Sequence, residues 1–116
     1  MSAEFTVASH FQGKEPVVEA IYIQLLKALR QLGEVTESSK KTSIHLDNHS
    51  GFAGVYTLRN AINLNFRTSE KIDSPRITKI EQHSAKRWMH TIKLQRPEDI
   101  DAELIGWLKS AYELAG

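Results

Sequence analysis

The 116-residue chain contains no cysteine, which excludes disulfides, thiolate metal sites and cysteine nucleophiles. Nor does it contain a run approaching the roughly 18 apolar residues that a membrane-spanning helix needs. Its opening stretch, MSAEFTVASHFQGKEP, lacks the basic segment and long apolar run of a secretory signal. Neither sign of charge prevails: 15 Lys and Arg stand against 14 Asp and Glu, for a formal net charge of +1. Charge alone therefore gives no reason to expect nucleic acid or acidic membranes as partners. The catalytic signatures GxSxG, GxGxxG, HExxH and the P-loop are all missing. Together these absences lead us to expect a cytoplasmic protein with no membrane segment, no metal, no cofactor and no catalytic residues.

What is present suits one globular domain spanning 1–116, with 41% hydrophobic and 25% charged residues. The first fifteen residues are expected to form a short helical turn around Val7 and Phe11, ended by Gly13, with a flexible start. Pro16 suits the first turn of a helix, where its missing N–H costs nothing. Val18, Ile21, Leu25, Leu29 and Leu32 then recur at helical spacing, and Gly33 is placed to cap the helix.

From Val35 to Gln95 the hydrophobic period changes from 3.6 to two. In KTSIHL, Thr42, Ile44 and Leu46 alternate with Lys41, Ser43 and His45. DNHSG is a turn by its chemistry. FAGVYTL reads as a strand apolar on both faces. In AINLNF, Ile62, Leu64 and Phe66 alternate with Asn63, Asn65 and Arg67. SEKIDSP is a loop, RITKIEQHS a further strand, and RWMHTIKL a clear one with Trp88, His90, Ile92 and Leu94 on one face. Pro97 ends it. Asp99 or Asp101 then caps a last helix, whose apolar stripe is Ile100, Leu104, Leu108, Ala111, Tyr112 and Ala115, flanked by Trp107. Short links between successive strands favour an antiparallel meander. The expected fold is α+β: a two-layer sandwich with both helices on one face of a four- or five-stranded sheet, the other face open.

The blocks KTSIHL, FAGV, SPRITKIEQ, SAKRWMHTIKL and PEDIDAELIGWLKSAY, in this order, resemble the bacterial domain of unknown function 5655 family over about Val17 to Leu114. The resemblance implies helices at both ends with antiparallel strands between, and no established activity. Some related domains are fused to restriction-type nuclease domains, which implies an accessory binding role near nucleic acid.

Candidate site residues come from three places. Lys41, Ser43, His45 and Arg67 belong on the open face, a donor-rich surface able to hold an anion or a nucleotide phosphate. A solvated sheet face explains the same alternation without a ligand. Arg76, Lys79, Lys86 and Arg87 beside Trp88 form the densest basic stretch, suited to phosphate contact and base stacking. Glu81 sits within that stretch, and edge-strand lysines also deter unwanted pairing. His90, in an apolar phase, is either a ligand-binding imidazole or a buried one satisfied by a backbone partner. The pairs His83/His90 and His45/His49 lack a metal-ligand spacing, and capping explains Glu98, Asp99, Asp101 and Glu103 without a cation. Three functions follow: a non-catalytic binding module using the open face or a sheet edge, with a homodimer among its expected assemblies; a nucleic-acid or nucleotide-binding accessory domain; and a histidine-centred enzyme.

Overall fold

A computed structural model describes residues 6–116, so any expectation for residues 1–5 lies outside the described residues. A 3-10 turn over Ala8–Phe11 leads to Gly13, whose φ of 74° is left-handed backbone that glycine adopts without strain. Helix α1 (Pro16–Leu29) begins at its proline, as expected, and buries Val18, Ile21, Leu25 and Leu29 completely. It stops four residues short of Gly33. A tighter turn carries Leu32, whose N–H bonds to the Leu29 carbonyl. Gly33 serves a different purpose from the expected cap. A Cβ there would stand 2.3 Å from the Tyr112 hydroxyl, which donates to the Glu34 carbonyl at 2.9 Å.

Six strands follow: β1 (Thr36–Ser39), β2 (Ile44–Asn48), β3 (Ser50–Thr57), β4 (Ile62–Thr68), β5 (Ile77–Ser84) and β6 (Arg87–Leu94). All neighbours pair antiparallel in the order β1-β2-β3-β4-β6-β5. The sheet thus has six strands where four or five were expected. The extra one, β1, is the polar edge segment TESS, which offers no apolar alternation to read. The order also reverses in the last hairpin, because β6 rather than β5 joins β4. The β4–β5 connection crosses over the end of β6 on the helix side, where its Ile72 N–H donates to His90 Nε2 at 2.9 Å.

Helix α2 (Ala102–Ala115) is capped by Asp101, whose Oδ1 accepts the Leu104 N–H at 3.0 Å. Both helices pack on the same face of the sheet. On that face Ile44, Val55, Leu64 and Ile92 form one cross-strand row, and Leu46, Ala53, Phe66 and His90 the next. Each of the fully buried apolar side chains among them is worth about 1.5–3 kcal/mol relative to exposure. A bulge resolves the two-sided phase of FAGVYTL. Leu46 pairs with Ala53 but Asp47 pairs with Gly51, leaving Phe52 as the extra residue. Phe52 therefore joins Ala53 on the covered side, edge-on to Tyr112 of α2 with ring centres 5.3 Å apart.

Tyr22 of α1 donates to Glu37 of β1 at 2.5 Å, tying the first helix to the sheet edge. Asn48 and Ser50, on either side of the left-handed His49, donate to the Tyr112 and Ala115 carbonyls at 3.0 and 3.1 Å. The β2–β3 turn thereby closes the C-terminal end of α2, whose last carbonyls have no partner within the helix.

Candidate functional site

Among the described residues no helix packs on the opposite face of the sheet. Side-chain alternation puts one row of Ser38, His45, Gly54, Asn65 and Thr91 there, flanked by Tyr56, Asn63 and Lys93 on one side and Arg67 and Met89 on the other. At the centre lies Gly54. A Cβ at this position would stand 2.6 Å from Asn65 Oδ1 and 3.6 Å from the Tyr56 ring. The missing side chain is what lets the Asn65 amide and the Tyr56 ring lean over the sheet instead of standing upright. The result is a shallow depression of about 170 Å³ lined by His45, Gly54, Tyr56, Asn65, Arg67 and Met89. Among the described residues no side-chain hydrogen bond engages His45, Tyr56 or Asn65. An imidazole, a phenol and an amide thus converge with donors and acceptors available.

A second depression, of about 210 Å³, adjoins the first and shares Gly51, Phe52 and Arg67 with it. Ser50, Arg87 and residues 111, 114 and 115 of α2 complete its walls. Arg67 Nη2 donates to the Gly51 carbonyl at 3.0 Å, which fixes the guanidinium at the boundary between the two. Neither Arg67 nor Arg87 forms an ion pair among the described residues.

The other expected site residues go elsewhere. Lys41 does not lie on a strand face. It occupies the four-residue turn closed by the Lys40 N–H and the Ser43 carbonyl, and β2 begins only at Ile44. Ser43 is buried rather than presented to solvent. The alternation read through KTSIHL was a turn followed by a strand, and the two share no common face. Trp88 is half-buried on the helix side, between Thr68 and Gln82. Arg76 donates to Asp101, to Glu103 and to the Asp99 carbonyl at 2.8–3.1 Å, and lies 5.8 Å from the Trp107 ring centre. Its charge is used within the fold. The Leu104 N–H and, behind it, the Arg76 guanidinium hold the Asp101 carboxyl below its ordinary range.

His90 is fully buried and stacks on Phe66, with ring centres 5.3 Å apart. Because Nε2 accepts from Ile72, the bonding assigns the neutral ring's proton to Nδ1, which has no hydrogen-bond partner. Burial pushes its pKa down, and the Phe66 backbone pulls weakly the other way without reaching hydrogen-bond geometry. The sheet itself separates His90 from His45, so the two imidazoles cannot meet on one ligand. No group of three or more His, Asp or Glu side chains converges as a metal site among the described residues.

The largest depression among those described here, about 510 Å³, lies outside the sheet altogether. It runs between the 3-10 turn and α1, along Val7, Phe11, Ile23 and Leu26, with Glu19, Lys27 and Arg30 at its rim. Its lining is mainly apolar side chains. Of the expected site residues, His45 and Arg67 line the first depression and Arg67 and Arg87 the second. Gly54, Tyr56 and Met89 also line the first depression and were not among the expected site residues, although a glycine between apolar neighbours in a strand is itself a signal of close approach.

The family model for Domain of unknown function (DUF5655) matches residues 7–115, and the chain belongs to that family. No curated protein and no solved structure matches it significantly. Among the described residues no helix is long and apolar enough to cross a membrane.

Proposed function

We propose that this member of the DUF5655 family is a non-catalytic binding module whose ligand sits on the open sheet face over Gly54. One observation carries the reading. His45, Tyr56 and Asn65 converge there with their polar atoms unengaged among the described residues, on a floor that only a glycine allows. Elsewhere the conspicuous polar cluster, Arg76 with Asp101 and Glu103, is spent on holding α2. The site offers hydrogen bonds and an aromatic surface but no activated nucleophile, no paired acid and base, and no metal-ligand cluster among the described residues. We take the chain to work in the bacterial cytoplasm, a setting that its lack of cysteine suits.

The test is a titration with adenosine, a neutral planar probe, followed by backbone amide shifts. Movement confined to residues near His45, Gly54, Asn65 and Met89 supports the reading. Silence there at millimolar adenosine counts against it.

A second reading, single-stranded nucleic acid, is favoured by the exposed Tyr56 ring lying on the same face as Arg67 and Lys93. It no longer draws on Lys41 or Arg76. Its mark is affinity for an oligonucleotide that falls steeply with salt.

A further inference from the structure

We infer that the two adjoining depressions form one bipartite site, whose second half selects a small planar ligand carrying a phosphate group. The inference rests on the binding reading above and names the ligand class. The first half, over Gly54, presents a flat floor with the Tyr56 ring, the Asn65 amide and the His45 imidazole around it. The second half presents two guanidiniums, Arg67 and Arg87. Gly51 and Arg67 line both, so one ligand can cross from one half to the other. At about 170 and 210 Å³ the halves reach together the lower end of the range for small-molecule sites, about 300–1,000 Å³. That is room for one nucleotide-sized molecule.

A simpler account would have the arginines serve the fold by meeting the negative end of α2. The hydrogen bonds argue against it. The Tyr112 and Ala115 carbonyls are taken by Asn48 and Ser50, not by either guanidinium. Among the described residues Arg87 donates only to the neighbouring Lys86 carbonyl, and Arg67 only to the neutral Gly51 carbonyl. An acid, Asp47, stands close by: a Gly51 Cβ would lie 3.3 Å from its Oδ1 and 3.8 Å from Arg67 Nη2, yet among the described residues Arg67 makes no ion pair with it. Two cations held beside an uncharged, hydrogen-bonding seat favour a phosphate, which guanidinium grips in paired geometry. A phosphate could come from a mononucleotide or from the 5′ end of a strand. The size of the site favours the mononucleotide.

Calorimetry and amide shifts with AMP, adenosine and a 5′-phosphorylated oligothymidylate test this. AMP is expected to bind about tenfold more tightly than adenosine, the worth of one good charge-assisted contact. Arg87→Ala and Arg67→Ala should each bring AMP down to the adenosine level, with Arg67→Lys recovering part of the loss. Amide shifts should appear on both sides of Gly51. Equal affinity for AMP and adenosine, with shifts near His45 and Asn65, would overturn the phosphate half while leaving the binding module standing. AMP shifts confined to residues near Ser50 and Arg87 would overturn the shared site and the seat over Gly54 with it. Tight binding of the oligonucleotide with no response to AMP would overturn the mononucleotide in favour of a strand.

Discussion

Helix α2 meets one arginine near its N-terminus and two near its C-terminus, and the two ends use them in opposite ways. Near the N-terminus Arg76 reaches two carboxylates and a carbonyl and lies against Trp107. Trp107 in turn stacks on Phe66, and Phe66 on His90. From the surface cation to the buried imidazole this is one continuous column, and every member is engaged. Near the C-terminus Arg67 and Arg87 face an open depression, and the helix carbonyls are closed by an amide and a hydroxyl instead. Residue type does not decide which arginine is structural; the availability of nearby carboxylates does. The first end stabilises the fold, and the second leaves its guanidiniums without carboxylate partners among the described residues.

Substitution at the closed end should cost stability, most of all at its buried tip. His90→Ala removes a stacked ring and leaves the Ile72 N–H without its acceptor, for an expected loss of about 2–4 kcal/mol in chemical unfolding. A loss under half a kilocalorie would mean that the column is not a unit. The same ring sets a pH dependence. Its folded-state pKa lies below the ordinary value of 6.5, so the unfolded chain takes up the proton first. The contribution is then whole above about pH 6.5 and is lost as pH falls below it. Unfolding of the wild type should show that acid-side loss, and His90→Phe should flatten it.

At the surface tip of the column, Arg76→Ala should lower stability by about 1–2 kcal/mol, since its charge-assisted bonds are partly exposed. The open end should behave otherwise. Arg87→Ala and Arg67→Ala are expected to change stability by about 0.5 kcal/mol or less, as surface changes usually do. A large loss at either position would erase the contrast and mark the second end as structural too. The turn that closes α2 should respond with the opposite sign. His49→Gly relieves a left-handed φ of 65° and should be neutral or stabilising by up to about 1 kcal/mol. Thermal unfolding of the variant would show it.

Sequence made the closed end largely legible and the open end only half so. Proline and acidic residues announced α2, and Asp101 is indeed its cap. The alternation INLNF identified a strand buried on one side and wet on the other, because burial on one face of a sheet imposes period two. RWMHTIKL matched β6 residue for residue and put His90 in the apolar phase. Local pattern failed where structure depends on a distant partner. β1 carries no apolar residue and exists because β2 pairs with it. Phe52 changes face through a bulge that only the pairing reveals. Lys41 and Ser43 seemed to continue the alternation of β2 although the chain was still turning. The gathering of Arg67 with Arg87 depends on β6 joining β4, an order that no local spacing encodes.

That strand order also bears on how the chain is made. β4 has β3 on one side but must wait for β6 on the other, and β6 is made only after β5. Until residues 87–94 emerge, the middle of the sheet is a raw edge, and the nascent sheet depends on that later strand to seal it.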